Sequence, residues 1–320
     1  MGLAIAGCGS SQKNTAYHPC TPSSHLAQVP SVSVREFPLK TPNAAPAAIT
    51  LGPGGDMWFT EVRGGRVGRI TPSGVISEFP LASAAREPVG IANGPDGNLW
   101  IAQNLHGIAR LTPAGAVREF ATGAKTSFIA AGPDGNLWFT ENDNNNIVRI
   151  TTKGALTAFA SERNPFSITL GPDHDLWFTQ GLGNKVGRIT EHGQISEFSL
   201  PAGSFPFSVA TGPDCKVWFT DSDLSKVGSI APASGAIREF SLTPNTDPEG
   251  ITAGPDGALW VSQAGAHAIV RVTPAGAIHE FKLPSATAEP GQIAVGPGNT
   301  IWFTEANRNR IGRVTLSPAP

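Results

Sequence analysis

The chain predicts an all-β fold, a seven-bladed β-propeller built from four-stranded antiparallel blades, and three observations carry that reading. Seven tryptophans, Trp58, Trp100, Trp138, Trp177, Trp218, Trp260 and Trp302, recur at separations of 42, 38, 39, 41, 42 and 42 residues and are all the tryptophan present. A period near ~40 residues is that of repeat folds in which each unit is one supersecondary structure. Seven Gly-Pro pairs, beginning at Gly52, Gly94, Gly132, Gly171, Gly212, Gly254 and Gly296, punctuate the same units. The chain ends also fit together. The last unit stops at IGRVT, residues 311–315, without the turn and final strand of its sisters, and VSVREFPL, residues 32–39, is an orphan fourth strand ahead of the first complete unit. It is expected to pair into the last blade and close the ring, which removes open sheet edges.

Each unit keeps one order: an apolar inner strand such as GITA, Gly-Pro, a turn such as Asp-Gly, the strand LWFT, a polar loop, IGRIT, a PxG turn and a strand ending in EF. Asp-Gly accepts positive φ and is the strongest short hairpin signal. With 37 Gly, 28 Pro and 15% charged residues, the composition suits tight turns joining short apolar strands rather than long helices. The tryptophans are expected to pack between neighbouring blades as structural residues.

Residues 1–30 read as a leader and flexible tether, and residues 31–317 as the propeller. MGLAIAGC resembles the lipobox of bacterial lipoproteins, with Cys8 as the acylated residue, although its apolar run is short and no Lys or Arg precedes it. The Ser, Thr, Pro and Gln that follow suit a tether. This predicts a periplasmic or cell-surface protein, lipid-anchored or secreted. A net charge of −2 and pI near 6.4 offer no footprint for nucleic acid, and no apolar run reaches the ~20 residues of a membrane span. Cys8, Cys20 and Cys215 match no zinc spacing, and Cys215 is expected as an exposed thiol in a turn where sister repeats carry Gly.

A site is expected on the face where the loop after LWFT meets the connection into the next blade. The residue after each LWFT forms a ring, Glu61, Gln103, Glu141, Gln180, Asp221, Gln263 and Glu305, expected mainly to satisfy loop backbone donors. The start of the inner strand varies: Ala47, Val89, Phe128, Phe166, Phe207, Glu249 and Gly291. Asp247, Glu249, Glu289 and Glu305 place carboxylates of the last two blades near one mouth, suited to Mg²⁺, or less well to Ca²⁺. Phe166 and Phe207 form an apolar wall opposite, and Gln263 joins Asp247 as a polar contact, so the cleft suits a small amphipathic ligand or a protein partner. His106 and His267 lie in loops of this face without an evident partner.

With the repeats laid out, GPDGNLWFTE, GRITPSGVISEF and the EP or P pair before GI resemble the virginiamycin B lyase family over residues 32–315. The resemblance implies a seven-bladed propeller and, for members that act as lyases, Mg²⁺-assisted elimination that opens a cyclic depsipeptide antibiotic at its ester bond. It implies metal contacts for Glu289, at the Glu of the family's EPHGI segment, and for Glu305. The two family histidines are replaced by Glu249 and Gly291, and no tyrosine counterpart exists, since Tyr17 lies in the tether. The preferred expectation is therefore a monomeric binding or scaffold propeller using its channel face. The alternatives are a Mg²⁺-dependent lyase with Glu249 as replacement base, or His267 as a weaker one, and a metal-dependent lactone hydrolase like the usually six-bladed gluconolactonase-type propellers.

Overall fold

The computed structural model describes residues 28–82, 87–105 and 107–318. They form seven sheets of four antiparallel strands, and inner strands touch in cyclic order, the seventh against the first. Blade 4 shows the pattern: inner strand Pro165–Leu170, then Leu176–Gln180, Lys185–Ile189 and outer strand Ile195–Ser199. Blade 7 draws Pro290–Gly296, Thr300–Glu305 and Arg310–Ser317 from the end of the chain and its outer strand, Ser31–Pro38, from the beginning. The pairing runs unbroken from Ser31 opposite Ser317 to Pro38 opposite Arg310.

The recurrence of GPDGNLWFTE has a physical cause at each position. All seven tryptophans are fully buried. Trp58 lies among Leu99, Ile101 and Leu111 of blade 2, and Trp302 among Met57 and Phe59 of blade 1, so each indole fills the gap between neighbouring blades. Each also stacks on a phenylalanine of its own blade's outer strand, with centroids 5.1 to 5.7 Å apart. Phe37 supplies that ring for Trp302, so the closing strand is packed like any other. The Gly of each Gly-Pro pair is required by space: a Cβ on any of the seven would lie 2.0 to 2.4 Å from the indole Cδ1. In five blades the turn aspartate accepts from the indole Nε1 at 2.8 to 3.1 Å, and in blade 7 Thr300 takes its place.

The threonine of WFT does two jobs. Its Oγ1 accepts the N–H freed by a bulge in the inner strand, as from Ala48, Ser167 and Ser208 at 2.9 to 3.0 Å. It then donates to a carbonyl of the next blade's inner strand. Thr60, Thr140, Thr179, Thr220 and Thr304 reach the carbonyls of Val89, Phe166, Phe207, Glu249 and Ala47 at 2.7 to 3.4 Å, and Ser262 reaches Gly291. Ala102 of blade 2 has no hydroxyl to offer.

Removing one bridge while keeping its shape leaves a buried N–H and a carbonyl without partners, which costs about 1–3 kcal/mol. Thr220→Val should therefore lower the midpoint of urea unfolding by an amount in that range, whereas Ala102→Val, where no bridge exists, should lack that hydrogen-bond penalty. Equal unfolding free energies for wild type and Thr220→Val would show that the hydroxyl does not couple the blades.

Candidate functional site at the channel mouth

The ring of residues that follows WFT is not open to the channel. All seven members are 5% exposed or less. Asp221 accepts from the backbone N–H of Phe205 and Leu224 at 2.9 and 3.3 Å, as expected of a loop-stabilising residue. The others differ. Glu141 accepts from the side chains of Asn144 and Asn146, Gln180 donates to Glu197 Oε1 at 2.9 Å, and Gln263 donates to Thr246 Oγ1 at 2.7 Å. Gln263, expected at the ligand, is thus fully buried with its amide N–H engaged elsewhere. Neither oxygen of Glu61 or of Glu305 has a hydrogen-bond partner. Burial first, then repulsion from Glu78 for Glu61 and from Glu36 for Glu305, pushes each carboxyl up to about 7.

In the sheet ladder Glu305 stands opposite Pro290, the neighbour of Glu289. The Glu305 carboxyl faces Arg308, 3.7 Å away, and feels Glu36 and Arg310 on the outer strands, while Glu289 is exposed and acts electrostatically on Glu249. Among the described residues, no group of three His, Cys, Asp or Glu side chains is placed to hold a metal ion. The donor set expected for Mg²⁺ or Ca²⁺ does not converge, and hard cations require several oxygens at one point.

What the inner strands do present is an aromatic arc beside one carboxyl. Phe128 meets Phe166 edge-on at 4.9 Å, and Phe166 meets Phe207 at 4.8 Å, each ring half-buried. Next in cyclic order comes Glu249. Its backbone is held on both sides, with Thr220 bonding its carbonyl and Ser222 that of Pro248 at 2.8 Å, while Ser262 accepts from Gly250 at 2.8 Å. The preceding Asp247 is held in the left-handed region at φ 47°, a conformation that non-glycine residues adopt only under constraint. A Cβ placed on Gly291 would lie 3.3 Å from Glu249 Oε2 and 3.1 Å from Thr304 Oγ1, so the Glu249 carboxyl leans over the neighbouring blade where Gly291 leaves room. Burial, with Asp247 and Glu289 adding repulsion, pushes Glu249 up to about 7. Burial and then Asp223 raise Asp247.

His267 does have a partner: its Nδ1 lies 2.7 Å from the Ala288 carbonyl, which can only accept, so Nδ1 carries a proton in this contact. Cys215 sits at φ 59° and is disulfide-bonded, its partner lying outside the described residues. It is not the exposed thiol expected of a turn residue. Cys8, the leader and His106 also lie outside the described residues. Phe128 corrects the alignment of the repeats. Phe128 stands as far before Trp138 as Ser167 does before Trp177 and takes the same hydrogen bond, to Thr140 Oγ1, so Ser127 is the counterpart of Phe166. The Ser127 N–H donates to the Thr140 carbonyl and the Thr140 N–H donates to that of Phe128, which keeps the bulge in this blade.

A carboxyl held near 7 in the folded protein and near 4.5 when unfolded binds its proton more tightly in the native state. The native state therefore loses stability as pH rises from about 4.5 through 7. Glu61→Gln and Glu305→Gln put the amide of blade 4 into these slots, able to donate to Glu78 or Glu36. Each should stabilise the fold at pH 8 by up to roughly 3 kcal/mol and have little effect at pH 4. Thermal melts of the variants that parallel wild type at both pH values would show that these carboxyls carry no such burden.

The sequence pattern of the Virginiamycin B lyase family matches residues 23–162 and 159–319. A virginiamycin B lyase of Saccharopolyspora erythraea is 44% identical over 96 residues, and that stretch spans 30% of this chain and 32% of the relative. Among solved structures, virginiamycin B lyase from Staphylococcus aureus is 34% identical, covers 90% of this chain and 100% of its own, and superposes with a TM-score of 0.85. A streptogramin B lyase structure is 30% identical over 89% of this chain and 98% of its own, also at 0.85. A histidine-to-alanine variant of the Staphylococcus aureus enzyme, catalytically inactive, has been solved with quinupristin. Taken with the seven closed blades and the repeated GPDGNLWFTE frame, these matches show that the chain belongs to the virginiamycin B lyase family.

Proposed function

We propose that this propeller is an exported binding protein that holds a small amphipathic ligand at its channel mouth, with residues 1–30 as leader and tether. The carrying observation is the arc of Phe128, Phe166 and Phe207 set beside the Glu249 carboxyl, an apolar wall next to one polarisable group. Ligand sites combine apolar lining with a few fixed polar groups in this way. The Cys215 disulfide supports export, because such bonds persist in oxidising compartments. No described helix is long and apolar enough to cross a membrane, so attachment would fall to an acylated Cys8. A closed ring needs no second subunit to cover its edges, which supports a monomer.

A second reading is favoured by one observation, the position of Glu249 near 7. A general base works best when its pKa lies near the working pH. In a lyase, Glu249 would take the proton beside a carbonyl. The electron pair left behind would form a carbon–carbon double bond as the neighbouring ester C–O bond breaks, releasing a carboxylate and opening the ring at unchanged mass. The family's two histidine positions hold Glu249 and Gly291, and the carboxylates expected to bind a metal do not converge, so the binding reading is preferred.

The deciding experiment incubates the protein with a type B streptogramin, with Mg²⁺ and with chelator, followed by chromatography and fragmentation. Intact antibiotic in both arms is expected. A linear product of unchanged mass that disappears in Glu249→Gln would overturn the binding reading in favour of the lyase. Gly291→His is expected to be tolerated, since the nearest atoms to its Cβ, Thr304 Oγ1 and Glu249 Oε2, lie 3.1 and 3.3 Å away and the latter ends a flexible chain; a shift of its melting temperature beyond a few degrees would show the corner to be rigid.

A further inference from the structure

The charges around the channel mouth narrow the ligand class, given the binding reading above. Asp247, Glu249 and Glu289 come from two adjoining blades, and among the described residues no hydrogen bond or ion pair reaches any of their carboxyls. No cation is among the charges that shift Asp247 or Glu249, and cations of the last three blades are paired elsewhere. Lys226 pairs with Glu239, Arg308 with Glu36 and Glu305, and Lys282 with Glu280. The corner is therefore negative and uncompensated, and its inner strand adjoins the one that carries Phe207, next in order around the channel. Aromatic faces attract cations as well as apolar groups. A divalent metal would need oxygens converging on one point, which the corner does not provide. An anion would meet only repulsion.

We infer that the channel mouth binds a small organic cation, with an aromatic or alicyclic body against Phe166 and Phe207 and a protonated amine or quaternary ammonium against Glu249, flanked by Asp247 and Glu289. The charged head supplies the counter-ion that the fold withholds, and the rings bury the remainder. Burial first, and then repulsion from neighbouring carboxylates, raises both Glu249 and Asp247.

The test is calorimetric titration of the full chain, at constant ionic strength, with phenylbutylamine, its trimethylammonium form and the uncharged phenylbutanol. Both cations should bind at least about tenfold more tightly than the alcohol, as one or two kcal/mol of charge pairing provides. Glu249→Gln, close in shape and keeping its backbone bonds, should remove most of that preference. Phe207→Ala should weaken all three ligands alike. Circular dichroism melts check that both variants fold; should Phe207→Ala fail to fold, Phe207→Leu replaces it. Equal binding of cation and alcohol, or a preference that survives Glu249→Gln, overturns the cation inference and leaves the channel-mouth reading standing. No binding of any probe, or binding indifferent to Phe207, overturns both.

Discussion

A hydroxyl in the second strand of six blades holds this ring together and at the same time shapes its channel. The oxygen accepts from the bulged corner of its own inner strand and donates to the carbonyl of the residue that opens the next one. Because the bridged carbonyls belong to Val89, Phe166, Phe207, Glu249, Gly291 and Ala47, the bonds that join the blades also hold the residues able to meet a ligand. Stability and site geometry are therefore one arrangement. The bulge makes it possible by freeing an N–H, and blade 2, with Ala102 in this place, lacks the hydroxyl.

The remaining repeated residues serve the gaps between blades. An indole too large for one sheet to bury fills each gap, the glycine six residues earlier makes room, and the turn aspartate caps its N–H where it can. An arginine of the third strand lies over the indole in five blades, 5.4 to 5.9 Å from the ring. It often reaches a carbonyl of the following blade's turn as well, as Arg188 does to Pro232 and Arg313 to Pro72. Closure by Phe37 and the Glu36–Arg310 pair repeats this scheme with residues from the other end of the chain. The cost of the scheme falls on Glu61 and Glu305, whose carboxyls share buried loop corners with a second carboxylate.

The site takes its character from what departs from the repeat. Six of the seven inner-strand corners carry Ala, Val, Ser, Phe or Gly, and the seventh carries Glu249. The same position in neighbouring blades was free to vary because its backbone, not its side chain, is what the ring uses. A family frame can in this way keep its architecture while the chemistry of its mouth changes. Here the corner of blade 6 carries a carboxyl and that of blade 7 a bare backbone, and the carboxyl leans into the space the glycine leaves.

The seven blades, their strand order and the closing strand could be read from the sequence because each rests on local, repeated spacing: tryptophan, Gly-Pro and the orphan VREF segment. The variable corner that bears Phe166, Phe207 and Glu249 was legible for the same reason. Tertiary structure alone decided which polar residues face the channel. Gln263 and Glu305 end their strands, and what their side chains meet depends on Thr246, Arg308 and Glu36, of which Glu36 arrives from the other end of the chain. That Phe128 stands in the slot of Ser167 and not of Phe166 shows in the hydrogen bond of its N–H to Thr140 Oγ1. Spacing along the chain determines the elements of a repeat fold, but burial and charge at a corner are set by neighbours that the spacing does not name.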